Sequence, residues 1–446
     1  MTLDYDGWII LIGILTAVAC ALPGTWLVVR GMGLMGDAIS HAVLPGIAIG
    51  FMISGSREGG WMFAGAAISG VAAALLSQLV HRWGRVEHGA AMGLVFTAFF
   101  SLGLLLIVQT ADTVDLDANC VLYGAIEMAP LDVVTVGGWP MDVVGLSATE
   151  VPRIVLPLAG MVLLNLLVIV VLYKELLLAA FDASLSSTQG FDARWLHYGV
   201  MALTAATCVA CFEAVGSIIT VALIVAPPAT ALLLSRRMSV VLLFSVIIGA
   251  AAAVLGHLSA ITFPGWILGG QVDTSSAGMM AVLAAVLFVV AAMVAPQRGV
   301  VSKWIFRRRQ TARIAVEDAL GLLFRLQERA IAADEDVVTR LLHSDVRVGP
   351  RRAAGVLSML RRESLAALSD GRWALTGRGN QEAMTLIRAH RLWETYLAGR
   401  SSIPSSHLHG AAERLEHVTS DGMMSALRDA VHDATEDPHG RRIPPV

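Results

Sequence analysis

The 446 residues are 56% hydrophobic and only 15% charged, a balance that excludes an ordinary soluble globular protein and points to a polytopic helical membrane protein. Net charge of −3 is uninformative, because the two halves of the chain differ in composition. The four cysteines, three of them inside apolar runs (Cys20, Cys208 and Cys211), do not form the pattern of a disulfide framework.

Residues 1–8 carry acidic groups and no Lys or Arg, so the first apolar run is expected to be a retained span. Runs of roughly 20 residues, the length a bilayer requires, occur at about 8–29, 36–54, 61–81, 90–109, 154–173, 195–213, 215–235, 238–258 and 277–295. The expected fold is therefore all-α, with about nine transmembrane helices over residues 1–298. Arg30, Arg82 with Arg85, Lys174 with Arg194, and Arg236 with Arg237 alternate with loops that are poor in basic residues. Positive-inside then puts the N-terminus outside and the C-terminus in the cytoplasm.

Within the second run, Asp37 and His41 stand four residues apart, on one face of a helix, where both could hold one small cation. Ionisable groups at membrane depth are costly and mark pathways by default. The same pair also fits a helix end, with Asp37 as N-cap and His41 bonded to a neighbouring helix. The loop at about 110–153 is acidic, with Asp112, Asp115, Asp117, Glu127, Asp132, Asp142 and Glu150 against a lone Arg153. Such a loop raises cation concentration near a mouth, or is simply solvated; its apolar middle, 121–131, suits a short helix. Segment 174–194 reads as a short amphipathic helix and a turn at Gly190, suited to docking on a cytoplasmic motor or to an ordinary interfacial position. His257, in an apolar run, is read as a packed histidine.

A basic linker is expected at 299–312, and a second, cytoplasmic domain at 313–446. Helices are predicted at about 313–332, 335–343, 350–362, 379–399, 405–419 and 420–434. Asp370-Gly371 between apolar flanks predicts a hairpin over 365–375. That order is a winged helix-turn-helix at about 313–378, followed by further helices at about 379–446. Glu413, Glu416 and His417 share one helix face by spacing, and a carboxylate–imidazole set suits manganese or ferrous iron. No G-x-x-x-x-G-K-[ST] occurs, and the only lysines are Lys174 and Lys303, so ATP would be hydrolysed by another chain and this one is not an enzyme.

The stretch GMGLMGDAISHAVLPGIAIG resembles the signature of permeases of the manganese/zinc/iron ABC transporter (ABC-3) family. YKELLLAAFDASLSSTQG and AVGSIITVALIVAPPATALLLSRR follow in that family's order, so the similarity covers about 8–298. The resemblance implies a bacterial cytoplasmic-membrane permease dimer, a separate ATPase, and an extracellular or periplasmic metal-binding protein. It also implies that Asp37 and His41 hold metal in transit, with Glu213 at a position that is often polar. Glu175, Phe181, Asp182 and Gly190 would lie in the ATPase-coupling region.

The tail resembles DtxR/MntR-type regulators through VEDALGLLFRLQE, LTGRGNQEAMTLIRAHRLWETYL, HLHGAAERLEHVTS and DPHGRRIP. It implies metal-binding and dimerisation helices at about 379–446, and divalent-metal ligands at Asp318, His390, Glu394, His409, Glu413, Glu416 and His417, with manganese ahead of iron or zinc. Gly321 replaces a carboxylate of the manganese-type pattern, which counts against a second metal there. Basic and acidic residues balance beyond residue 310, so nucleic acid is not the expected partner. A membrane-tethered transcription regulator and a proton-coupled exchanger using Asp37 and His41 are the alternative readings.

Overall fold

The computed structural model describes residues 5–33, 35–55, 60–110, 126–135, 150–268, 274–296, 298–344, 349–400, 405–432 and 434–445. The chain divides into two compact units, Met1–Ser302 and Lys303–Val446. Most of the acidic loop, including Asp112, Asp115, Asp117 and Asp142, lies outside the described residues. Of its apolar middle, the described part is a turn and the single 3-10 turn Ala129–Leu131. A short antiparallel pair, β1 (Val133–Thr135) and β2 (Glu150–Pro152), closes the base of that loop.

The first unit is built on α1 (Tyr5–Val29), whose buried Ile9, Ile12, Trp26 and Leu27 join Leu223 and Ile224 in one apolar core. The run expected as one span at 36–54 is two helices, α2 (Met35–Ala42) and α3 (Leu44–Ser54). Pro45 explains the break: it lacks an N–H and suits the first turn of a new helix, so α3 starts around it and α2 stops after two turns. Next come α4 (Gly60–Gly84) and α5 (His88–Thr110), which pack with α3 against α2.

Helix α6 (Val155–Val171) meets α7 (Tyr173–Phe181) at a 72° bend. Asp182 then caps α8 (Ala183–Thr188), accepting from the N–H groups of Ser184 and Leu185 at 3.1 and 2.9 Å. Helix α9 (Ala193–Val215) ends at Gly216, whose φ of +77° separates it from α10 (Ser217–Leu234). Helices α11 (Met238–Leu268) and α12 (Ser276–Val294) complete the bundle. Each of the nine expected runs falls on helix. Among the described residues, however, seven helices are long and apolar enough to span, or eight if the bent pair is one span. One local cause is the bend, at which α6 stops.

The expected linker is helical. It forms the start of α13 (Val300–Glu328), where Arg308 lies over the Trp304 ring at 3.7 Å. In the second unit Val316, Leu320 and Leu323 of α13 pack with Val338 and Leu342 of α14 (Glu335–Ser344) and Leu357 and Leu360 of α15 (Pro350–Arg362). Strands β3 (Ala366–Ser369) and β4 (Arg372–Leu375) follow, with Ser369 opposite Arg372. Asp370 and Gly371 both have positive φ, +51° and +74°, as a two-residue turn of primed type demands. Helices α16 (Gly377–Arg400) and α17 (Ser405–Glu416) carry the remaining predicted ligands, with His417 just beyond the end of α17, and α18 (Asp421–Ala430) follows.

Candidate metal sites

In the first unit, the eight-residue α2 brings Asp37 Oδ1 to 3.5 Å from His41 Nε2, on one face and one turn apart. The His41 ring is set by Phe96 and Phe100 of α5, at centroid distances of 5.5 and 5.3 Å. Its side chain is about three-quarters buried at 26% exposure, whereas Asp37 is half exposed at 51%. A pair of oxygen and nitrogen donors so placed can share one cation: bonds of about 2.1 Å in a tetrahedral shell put neighbouring ligand atoms about 3.4 Å apart. The alternative reading of Asp37 as an N-cap does not fit, for it is the third residue of α2. Glu213 sits in the last turns of α9, and its side chain is outside what the structure describes.

The four residues of the expected coupling region stand in successive pieces. Glu175 is on α7, with Oε2 buried and without a hydrogen-bond partner among the described residues. Phe181, at the end of α7, is 69% exposed. Asp182 is fixed as the cap of α8, and bonds from the Ser184 hydroxyl and the backbone hold its carboxyl below the usual range. Gly190 takes φ of +89°, which turns the chain into α9.

In the second unit two groups of metal-ligand type form, each with its donor atoms within 4.8 Å of one another. The first is His390, Glu394 and His409. His390 Nε2 is 3.1 Å from Glu394 Oε1 and 2.9 Å from His409 Nδ1, which is itself 3.0 Å from Glu394 Oε1. The second is Asp318, Glu416 and His417, with His417 Nε2 at 3.1 Å from Asp318 Oδ1 and 3.7 Å from Glu416 Oε1. Asp318 is brought to this group by α13, from far upstream in the sequence. Glu413 is half-buried on α17 and stands in neither group among the described residues.

A residue that sequence reasoning passed over is Glu317. Its Oε2 is 2.7 Å from His417 Nδ1, and Arg313 holds its other oxygen at 2.7 Å. The adjacent acidic pair Glu317-Asp318 was the available signal. Burial alone would raise the Glu317 carboxyl, yet the bonds from His417 and Arg313 hold it below its ordinary value. Burial likewise opposes charge on His390, but Glu394 and Glu416 outweigh it and raise that imidazole to about 9. His417 goes the same way, to about 10, through Asp318 and Glu317. Glu394 is pushed well down by His390 and His409 against the effect of its burial.

The donors in both groups are imidazole and carboxylate, with no thiolate among them, in pockets where carboxylates already hold each imidazole in place. That chemistry fits a borderline-hard divalent ion. A Cβ on Gly321 would meet Arg325, Leu386 and Ile387 at ordinary contact distance, and none of the three belongs to either ligand group.

Residues 4–295, well over half of the chain, match the ABC 3 transport family, and residues 376–445 match the iron dependent repressor, metal binding and dimerisation domain. The chain belongs to the ABC 3 transport family: it is a permease of the manganese, zinc and iron ABC transport type, with a DtxR-like domain at its C-terminus. It is 34% identical over 373 residues to the zinc transport system membrane protein TroD of Treponema pallidum, covering 83% of this chain and 96% of that one. It is 37% identical over 301 residues to the manganese transport system membrane protein MntD of Bacillus subtilis, covering 68% and 96%. Among solved structures, PsaBC from Streptococcus pneumoniae in complex with Fab matches with a TM-score of 0.51 at 27% identity, covering 66% of this chain and 93% of that one.

Proposed function

We propose that the protein is the permease subunit of an importer for a divalent transition metal, manganese first and iron or zinc behind, and that its tail senses the same class of ion. The observation that carries the reading is the Asp37–His41 pair at 3.5 Å on a short helix inside an apolar bundle. Half-exposure of Asp37 in the single chain is what a ligand facing a cavity shared with a second permease copy presents. Metal delivered by an extracellular or periplasmic binding protein would enter between the two copies and meet the carboxylate and imidazole. Two protein donors, with water completing the shell, bind an ion weakly enough to release it. Glu213 is a further pathway position.

Alternation of basic and non-basic loops supports an N-terminus outside and a cytoplasmic tail in a bacterial inner membrane. Energy comes from a separate ATPase docked on the cytoplasmic side at 174–192, where Asp182 and Gly190 fix the shape of the segment and Phe181 offers an exposed anchor. Asp318, His390, Glu394, His409, Glu413, Glu416 and His417 form the sensor. Metal bound there regulates import only by favouring one state of the dimer over another. The balanced charge of the tail supports a scaffold role for its helix–turn–helix and hairpin rather than DNA binding.

Uptake of Mn2+ into vesicles containing the chain and its cognate ATPase tests both parts. Asp37→Ala and His41→Ala should each abolish ATP-dependent import, and import at wild-type rate would overturn the pathway. Deleting 311–446 should relieve inhibition by high internal Mn2+, and an unchanged response would overturn the sensor.

A further inference from the structure

A second carboxylate–imidazole pair lies at the far end of the same bundle, built from three helices and a turn. Asp6, in the first turn of α1, brings Oδ1 to 3.6 Å from His257 Nε2 on α11. His257 is 2% exposed, and its Nε2 has no hydrogen-bond partner among the described residues. Its other nitrogen, Nδ1, is 3.0 Å from the Ser276 hydroxyl at the start of α12. Glu127 caps that start, its Oε1 accepting from the Ser276 N–H at 2.6 Å, so this carboxylate is already engaged.

A cation between the two groups selects the tautomer with its proton on Nδ1, donated to the Ser276 hydroxyl, in which the Nε2 lone pair points at the Asp6 carboxylate. Two electron-pair donors then face each other across 3.6 Å, too far for a hydrogen bond and unfavourable with nothing between them. Proteins orient a metal-binding imidazole by a hydrogen bond on its other nitrogen, and here the Ser276 hydroxyl supplies that bond. The separation nearly repeats the 3.5 Å of Asp37 and His41, and both are close to the roughly 3.4 Å edge of a tetrahedral shell. Asp6 is more than half exposed, which leaves the pair open on the side from which an ion would arrive.

We infer that Asp6 and His257 form a second divalent-metal site, holding an ion through one oxygen, one nitrogen and water at the end of the bundle where the acidic loop is rooted. The inference rests on the permease reading and deepens it. By the basic-loop pattern this is the outer end, so the pair receives the ion before Asp37 and His41 do.

The test is Mn2+ binding, followed by electron paramagnetic resonance, on the full chain in lipid discs, with tail donation silenced by His390→Ala and His417→Ala. In that background Asp6→Asn and His257→Gln should each remove one Mn2+ per chain. Asp6→Asn, at an exposed position, should melt at the parent temperature and so separates binding from folding. Unchanged stoichiometry in either variant overturns the site. Asp37→Ala, read for import in the same series, separates the two ideas. Lost import with full stoichiometry in the Asp6 and His257 variants sinks only the outer site. Retained import with a lost Mn2+ in those variants sinks only the Asp37–His41 pathway.

Discussion

Glu416 sets its Oε2 on His390 Nδ1 across the packing of α16 on α17, while its Oε1 lies 3.7 Å from His417. One buried carboxylate thus touches both ligand groups of the tail. Replacing it with Gln keeps the volume but removes the charge that each imidazole needs. Glu416→Gln should weaken Mn2+ binding at both groups by about 10–100-fold. His409→Ala should weaken only the first. Binding isotherms on the full chain decide this: if Glu416→Gln leaves either group at wild-type affinity, the two are not joined through this residue.

The raised imidazoles make metal binding a proton exchange. His390 at about 9 and His417 at about 10 are both charged at neutral pH in the metal-free tail. Because a metal takes the neutral ring, filling both groups at pH 7 should release about two protons per chain, and affinity should rise with pH until about 9–10. Stability of the metal-free tail runs the other way. Both values lie above the ordinary 6.5 or so, so the stabilisation from these ion pairs is complete below about pH 6.5 and is lost as pH climbs through 9 to 10. Calorimetry in buffers of different ionisation enthalpy measures the protons. Uptake of Mn2+ without proton release would refute the assignment.

Much of this was readable because its periodicity is local. Asp37 and His41, or His390 and Glu394, are one turn apart, and Asp370-Gly371 between apolar flanks dictates a tight hairpin. Contacts that depend on which distant helices meet were not readable. His257 looked like core packing, since nothing in an apolar run of α11 announces that α1 will bring Asp6 to it. Glu317 was hidden for the same reason, by a partner a hundred residues downstream. The split of the second span was legible in principle from Pro45, but a continuous apolar run outweighed one residue.

The break after α2 is held by backbone contact between α3 and α4. A Cβ on Gly46 would stand 2.0 Å from the Gly65 carbonyl oxygen and 2.6 Å from Ser69 Cβ, and Ser69 also ties back to Ala42 at the end of α2. Small residues that let helices touch are the usual means of packing in a bilayer. Gly46→Ala should therefore force α3 off α4, cost about 1–3 kcal/mol, and slow Mn2+ import by disturbing the helix that carries Asp37 and His41. Gly160→Ala, with nothing within 4 Å, is the matched control. Equal melting and equal import in the two variants would remove the argument.

The last segment of the tail is pinned by charge rather than by apolar packing. Asp437 is buried, and its Oδ1 accepts from the His439 and Arg441 N–H groups at 2.8 Å, which shapes the turn through Gly440. Its other oxygen faces Arg391 at 3.8 Å, while Arg391 also holds Glu328 at 2.6 Å and the Arg442 carbonyl. Arg391→Met would strand a buried carboxylate, so its cost should be large, about 3–5 kcal/mol. Asp437→Asn keeps the Oδ1 acceptor and should cost less. If charge compensation is the reason, the double variant will be more stable than the sum of the two losses predicts, an excess of about 0.5–3 kcal/mol in a double-mutant cycle. Hydrogen exchange of α16 in the full chain reads it. Strict additivity would mean that Arg391 acts through Glu328 and the Arg442 carbonyl, and not by compensating the Asp437 charge.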